Sequence, residues 1–241
     1  MTRCLGAVLL AVGCTGSAVK PDTGTGDTPQ VTLEGLITNL LTASGESDVE
    51  ICVEGTGDCD ISDASGAYRV LAQAEAEVEL VVTLDGHQSL LVPVQTGVED
   101  TALRPLSLLP EGLVDAQANA VGATGDPALG QVVFSVSNGI AGDGVNIPGV
   151  VAALEPESGI GPFYLGSTGL PDAALEATSS NGGGGWLDVT PGEAALVFEN
   201  LPADCVSLYG WDGPTPLRFS SRSAHATVLR IECTDGAASS R

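Results

Sequence analysis

Lysine is almost missing from this chain. Lys20 is the only one, and lysine and arginine together number 8 against 31 acidic residues, for a net charge of −23. Nucleic-acid binding is therefore excluded, because neutralising phosphates takes clustered Lys and Arg. Aromatic residues make up 4% of the sequence. No apolar run reaches the ~20 residues needed to cross a bilayer as a helix. There is no Gly-x-Ser-x-Gly elbow and no His-Glu-x-x-His pair, so neither a hydrolase triad nor a catalytic zinc is expected. The run Gly182-Gly183-Gly184-Gly185 lacks the Gly-Lys-Ser/Thr ending of a phosphate loop. It suits a flexible loop entering a strand at Trp186. No cofactor, metal or catalytic residue is expected.

What is present favours short strands and turns: 32 Gly and 14 Pro among many Val and Leu. The acidic charge keeps such a surface soluble. The first 14 residues, Met-Thr-Arg-Cys-Leu-Gly-Ala-Val-Leu-Leu-Ala-Val-Gly-Cys, form a recognisable unit. Arg3 is the basic start, residues 5–12 are an apolar run too short to span, and small residues precede Cys14. This unit resembles a bacterial lipoprotein signal, although Leu10 lies one place earlier than the usual lipobox leucine. The resemblance implies cleavage after residue 13, a diacylglycerol on the Cys14 sulfur and an acyl chain such as palmitate on the new amine. Each buried methylene contributes about 0.8 kcal/mol, so more than one chain is needed for stable attachment. The alternative is an ordinary signal peptide cut near Gly13 or Gly16. Residues 14–30 are polar, Gly-, Thr- and Pro-rich, and read as a tether without folding potential.

Cys4 leaves with the leader, so Cys52, Cys59, Cys205 and Cys233 remain. An even number in an exported chain reads as disulfides. The local pairing, Cys52–Cys59 and Cys205–Cys233, stabilises by roughly 2.5 and 3.5 kcal/mol through loop entropy. A zinc site is the alternative, but the first pair lacks Cys-x-x-Cys spacing and no histidine neighbours either pair.

From Val31 onward, apolar residues alternate in short runs. Strands are expected near residues 31–34, 49–53, 68–71, 78–84, 90–94 and 101–109, with a tight turn at Asp85-Gly86. Residues 113–121 are the one helical run, and Gly122 can cap it. A second set of strands follows near residues 132–136, 150–154, 185–189, 194–200, 206–211 and 226–231. The expected fold is all-β: two tandem β-sandwiches of immunoglobulin or transthyretin type, joined by a linker with a short helix. The divisions are 1–13 signal, 14–30 tether, 31–109 first sandwich, 110–129 linker, 130–235 second sandwich and 236–241 tail. The halves align as a repeat that places Trp186 opposite Tyr68, 118 residues apart.

The first half resembles a carboxypeptidase regulatory-like domain. The residues that carry this are Val49-Glu-Ile-Cys-Val53, Ser62-Asp-Ala-Ser-Gly-Ala-Tyr-Arg-Val70 and Val78-Glu-Leu-Val-Val-Thr-Leu-Asp-Gly86. The resemblance implies a transthyretin-like accessory module without catalytic residues; the Cys52 and Cys59 pair is an addition to its pattern.

Four groups of residues are candidates for a site. Asp58, Asp60 and Asp63 could ligate calcium but lack EF-hand spacing; the alternative has Asp63 bonding its own turn and the other two solvated. His87 and His225, the two histidines, have no adjacent nucleophile. Trp186, Tyr164 and Tyr209 could join a sugar platform or a core. Trp211, flanked by Gly210 and Asp212-Gly213-Pro214, is the candidate for an exposed ligand contact. The expected function is a lipid-anchored, extracytoplasmic envelope protein, at the outer membrane, that displays non-catalytic modules to a protein partner. A carbohydrate- or peptide-binding module and an accessory subunit of a surface enzyme or export system are the alternatives.

Overall fold

The computed structural model describes residues 28–138 and 145–234. These residues fold as two β-sandwiches with one helix between them. The first contains β1 (Gln30–Asn39), β2 (Glu50–Val53), β3 (Cys59–Ile61), β4 (Ala67–Gln73), β5 (Glu77–Thr83), β6 (Ser89–Gln95), β7 (Thr101–Ala102) and β8 (Leu106–Leu108). Alternation explains these strands. In β4, Tyr68, Val70 and Ala72 are buried while Arg69 and Leu71 face outward. The expected strand over 101–109 splits in two, because Pro105 cannot donate to a ladder. Helix α1 (Glu111–Val121) follows, and Gly122 ends it in the left-handed conformation, its N–H bonding Ala118 O.

The second sandwich contains β9 (Gly130–Asn138), β10 (Val151–Glu155), β11 (Ile160–Tyr164), β12 (Gly183–Val189), β13 (Gly192–Glu199), β14 (Cys205–Tyr209), β15 (Leu217–Ser221) and β16 (His225–Cys233). Three of the four glycines, Gly183–Gly185, therefore open a strand, and Gly182 alone lies in the turn before it. Glycine is required there by close approach: a Cβ on Gly184 would sit 2.6 Å from Phe163 O and 2.8 Å from the Phe134 ring.

The two halves repeat in strand pairing as well as in sequence. β1 pairs antiparallel with β4 as β9 pairs with β12, β2 with β5 as β10 with β13, and β5 with β6 as β13 with β15. β1 pairs parallel with β7 and β8 as β9 pairs with β16. A buried hydroxyl occupies one place in both halves. Ser62 Oγ accepts from Val49 N at 3.0 Å and donates to Glu46 O at 2.8 Å; Thr178 Oγ1 accepts from Val150 N and donates to Ile147 O at the same two distances. Likewise, Ile37 N bonds Gly66 O, and Val136 N bonds Gly182 O. These equivalences correct the alignment expected from sequence. Gly184, not Trp186, stands in the place of Tyr68, and Trp186 stands in that of Val70.

β16 joins the two sandwiches. It pairs parallel with β9 along Ala226 to Cys233, and its first residues pair parallel with β6 as His225↔Ser89, Ala226↔Leu90 and Thr227↔Leu91. One nine-stranded sheet thus runs through both halves, in the order β11-β12-β9-β16-β6-β5-β2-β3 with β14 paired to β16. The first core, around Leu33, Ile37, Ile51, Leu80 and Leu90, takes in Tyr209 and Ala226 from the second half. The second gathers around Phe134, Trp186, Leu196, Phe219 and Ile231. Burying each such side chain contributes roughly 1.5–3 kcal/mol.

Candidate functional site

The cysteines pair as Cys52–Cys59 and Cys205–Cys233. Each bridge joins directly opposed residues, on β2 and β3 and on β14 and β16. Cys14 lies outside the described residues.

The aspartate group is a strand clasp. Asp60 Oδ2 accepts from Arg69 N at 2.7 Å, and Asp58 Oδ2 accepts from Leu71 N. Arg69 and Leu71 belong to β4, whose only strand partner among the described residues is β1. The two carboxylates therefore cover amides on an open sheet edge, which otherwise templates association. This corrects the expectation that Asp58 and Asp60 are solvated. Asp63 Oδ1 accepts from the Ser65 hydroxyl at 2.7 Å, Ser65 N at 2.8 Å and Ala67 N at 3.0 Å. The Ser65 hydroxyl, then the Ala67 and Ser65 amides, hold its carboxyl below the usual range. Among the described residues, no three His, Cys, Asp or Glu converge on a metal position.

The structure does not expose Trp211. It is 8% accessible, its Nε1–H points to Val78 O of the first sandwich at 3.4 Å, and Arg218 lies 6.0 Å from its ring centroid. The other half of the molecule covers a side chain that its Gly, Asp and Pro neighbours made look like a loop residue. Trp186, Tyr164 and Tyr209 are buried as well, as is every other Phe, Tyr and Trp of the chain. An aromatic platform of the kind that stacks on sugars is thus absent from the described surface. Burial pushes the Tyr68 and Tyr209 phenols well above their ordinary range, and Tyr209 Oη donates to Arg104 O.

Among the described residues, four of the five arginines sit where the sandwiches meet. Arg218 pairs with Glu77 across the junction and with Asp212 on its own side; Arg222 reaches Glu54 and Glu79 at 3.2 Å each. Arg104, just before β8, pairs with Glu232 of β16 at 2.8 Å, and Arg230 flanks the same carboxylate at 3.6 Å. Glu232 is buried, so this pair is held in a low-dielectric seam. At the end of the linker, Thr124 donates both its N–H, at 2.7 Å, and its hydroxyl, at 2.9 Å, to Asp188 Oδ2. Burial raises the Asp188 pKa, but the Thr124, Asp126 and Gly125 donors outweigh it and leave it lowered.

His87 and His225 are half-buried and close local turns. His87 Nδ1 lies 3.3 Å from Asp85 O, and His225 Nδ1 lies 2.8 Å from Ser223 O. His87 borders a polar groove of about 320 Å³ with Glu111, Asp126 and Asp188. A second groove, of about 220 Å³, is apolar and lies between the sandwiches, beside β8 and the β9–β16 pair. Sequence reasoning missed it, since its walls come from both halves. Among the described residues no helix is long and apolar enough to cross a membrane.

No family model matches the chain, and no curated protein matches it. Solved structures with some likeness include the minor pilin GBS52 of Streptococcus agalactiae, at 10% identity over 85% of this chain and 96% of that one, with a TM-score of 0.30. The shaft pilin SpaA of Lactobacillus rhamnosus GG aligns at 9% identity over 86% of this chain and 98% of that one, at 0.26. A chain of a type II cohesin–X-dockerin complex from Acetivibrio cellulolyticus aligns at 17% identity over 33% of this chain, which spans 55% of that one, at 0.28.

Proposed function

We propose that this chain is a non-catalytic envelope lipoprotein whose two β-sandwiches present a rigid surface to a protein partner. In this reading residues 1–13 are a signal segment, Cys14 bears the lipid, and residues 14–30 tether the body to a membrane, the outer one. The modules span 31–109, of carboxypeptidase regulatory-like type, and 130–235; residues 110–129 link them and 236–241 form a tail.

The observation that carries the reading is the pairing of β16 on both of its edges, with β9 and β6. A freely jointed pair of modules would not share a sheet. Here a shared strand, three ion pairs from Arg218 and Arg222, and the buried Trp211 make one stiff body, which suits display at a fixed geometry. The buried aromatics disfavour a carbohydrate-binding role. Detergent-phase partitioning tests the anchor: wild type enters the detergent phase and Cys14→Ser stays aqueous, and equal partitioning would overturn it. Crosslinking on intact cells tests display, with an envelope protein joined to the wild-type chain as the expected result.

A further inference from the structure

We propose that the outer edge of β8 is a strand-addition site for an extended, apolar, non-acidic peptide segment of a partner protein. The proposal rests on the display reading and names its contact. The internal repeat supplies the argument. β8 corresponds to the last residues of β16, since Ile37↔Leu106 and Asn39↔Leu108 in the first half match Val136↔Ile231 and Asn138↔Cys233 in the second. In the second half the far edge of that segment is covered by β14, antiparallel, as Cys205↔Cys233, Val206↔Glu232 and Ser207↔Ile231. β14 comes from the connection between β13 and β15. The matching connection in the first half, between β5 and β6, is a tight turn around Asp85-Gly86 that carries no strand. Thus β8 has β1 as its only strand neighbour among the described residues.

The bare stretch is bounded. Tyr209 Oη occupies Arg104 O on one side and Gln88 N occupies Leu109 O on the other, leaving Leu106–Leu108 between them. The apolar groove runs beside this stretch, lined in part by Leu40, Leu109, Val133, Leu165 and Val228. Leu40 stands at its rim, 41% exposed. Arg230 also lines the groove, and its buried Nε–H has no acceptor, so a carbonyl of an added strand would meet an unused donor. Strand addition takes affinity from main-chain bonds and selectivity from pockets for alternate side chains. The net charge of −23 favours a neutral or basic peptide. The opposite edge of the same sheet, β4, is closed by Asp58 and Asp60, whereas this edge has no such cover.

The probe is a fluorescein-labelled peptide copying residues 205–211, which hold no acidic residue, with serine for Cys205, titrated against the full chain in detergent micelles. Saturable binding is expected, weakened at least tenfold by Leu40→Asp at the rim and by Val133→Glu in the groove. A peptide with proline at its central position should not bind. Thermal midpoints verify that the variants are folded, and the exposed Leu40 site keeps the test valid if Val133→Glu does not fold. No saturable binding, or equal binding to wild type and Leu40→Asp, would overturn the proposal. Crosslinking on cells separates the two ideas. A partner joined equally to wild type and Leu40→Asp sinks the edge site alone, while no partner on wild type sinks the display reading.

Discussion

The ring of Tyr68 lies over Gly35 on the paired strand. A Cβ on Gly35 would stand 2.7 Å from the Tyr68 hydroxyl. In the second sandwich the same cross-strand pair is reversed: the aromatic, Phe134, is on the first strand and the glycine, Gly184, on its partner. Each half needs one large ring at this level of its core and room for it on the facing strand, and the two halves meet that need from opposite sides. Gly184→Ala would press on the Phe163 carbonyl as well as on Phe134, and backbone cannot rotate away. The expected cost is roughly 1–3 kcal/mol, as for other overpacked cores. Urea unfolding of Gly184→Ala against wild type checks it. At Gly35 the nearest atoms belong to a side chain, so Gly35→Ala should cost less.

The two disulfides should differ in worth. Cys205–Cys233 closes a separation of 28 residues and Cys52–Cys59 one of 7. Loop entropy then assigns about 3.5 and about 2.5 kcal/mol. Equilibrium denaturation of the paired serine variants should show the larger loss for Cys205→Ser with Cys233→Ser. That variant also removes the covalent tie between β14 and β16 and leaves only their ladder, so amide exchange should quicken in β14 first.

Much of this architecture was readable from alternation. β4, β5 and β13 declare themselves because one face is buried and the other is not, and α1 stands out by its Gly122 stop. β3 and β11 were not readable: Cys-Asp-Ile has no apolar run, and Ile-Gly-Pro-Phe-Tyr carries two strand-weakening residues. β15 alternates as Leu-Arg-Phe-Ser-Ser, but follows a Pro-rich stretch that reads as loop. The repeat was visible while its register was not, because aligning aromatic with aromatic is wrong where ring and glycine exchange strands. The shared sheet and the burial of Trp211 depend on pairings over more than a hundred residues, which local pattern does not carry. For the same reason the β8 groove, built from both halves, left no trace in the sequence.

Glu232 should be the costliest single charge to remove. It is buried between Arg104 at 2.8 Å and Arg230 at 3.6 Å. Glu232→Ala leaves two guanidinium groups facing each other in the seam, and breaking a buried pair in this way costs about 3–5 kcal/mol. Because Arg104 belongs to the first half, the variant should also loosen the junction. Limited proteolysis between the sandwiches, together with a lower urea midpoint, is the expected outcome. An unchanged midpoint would show that the seam contributes little.

Acid should act in two opposing stages. From neutral pH down to the ordinary carboxylate range near 4, relief of repulsion among 31 acidic residues raises stability. Asp63 and Asp100 titrate lower. Asp63 is held down by the Ser65 hydroxyl and by the Ala67 and Ser65 amides, and Asp100 by the Thr32 amide. A folded-state pKa below the unfolded one gives stability that is present above the unfolded value and lost as pH falls through the folded value. Denaturation midpoints should therefore peak and then drop below about pH 4. Asp63→Asn should lower the neutral midpoint and flatten the acid limb, so that variant and wild type converge at low pH.

The clasp on β4 is a guard against association, and its removal should show in self-assembly before it shows in stability. Asp58 and Asp60 are bonded to Leu71 N and Arg69 N, the amides that a strand from another molecule would seek. Leu71 itself is exposed beside them, so the uncovered edge would carry an apolar residue as well as free donors. Neither carboxylate lies in a core, so the double substitution Asp58→Ala with Asp60→Ala should lower stability only modestly. It also reduces the net negative charge by two, which weakens repulsion between copies. Light scattering at rising protein concentration should reveal oligomers in the double variant at concentrations where wild type is monodisperse. Asp58→Asn with Asp60→Asn separates the two causes. The amide oxygens can still accept from Leu71 N and Arg69 N while the charge is gone, so this variant should stay close to wild type if bonding is what protects the edge. Equal association of both double variants would assign the protection to charge instead.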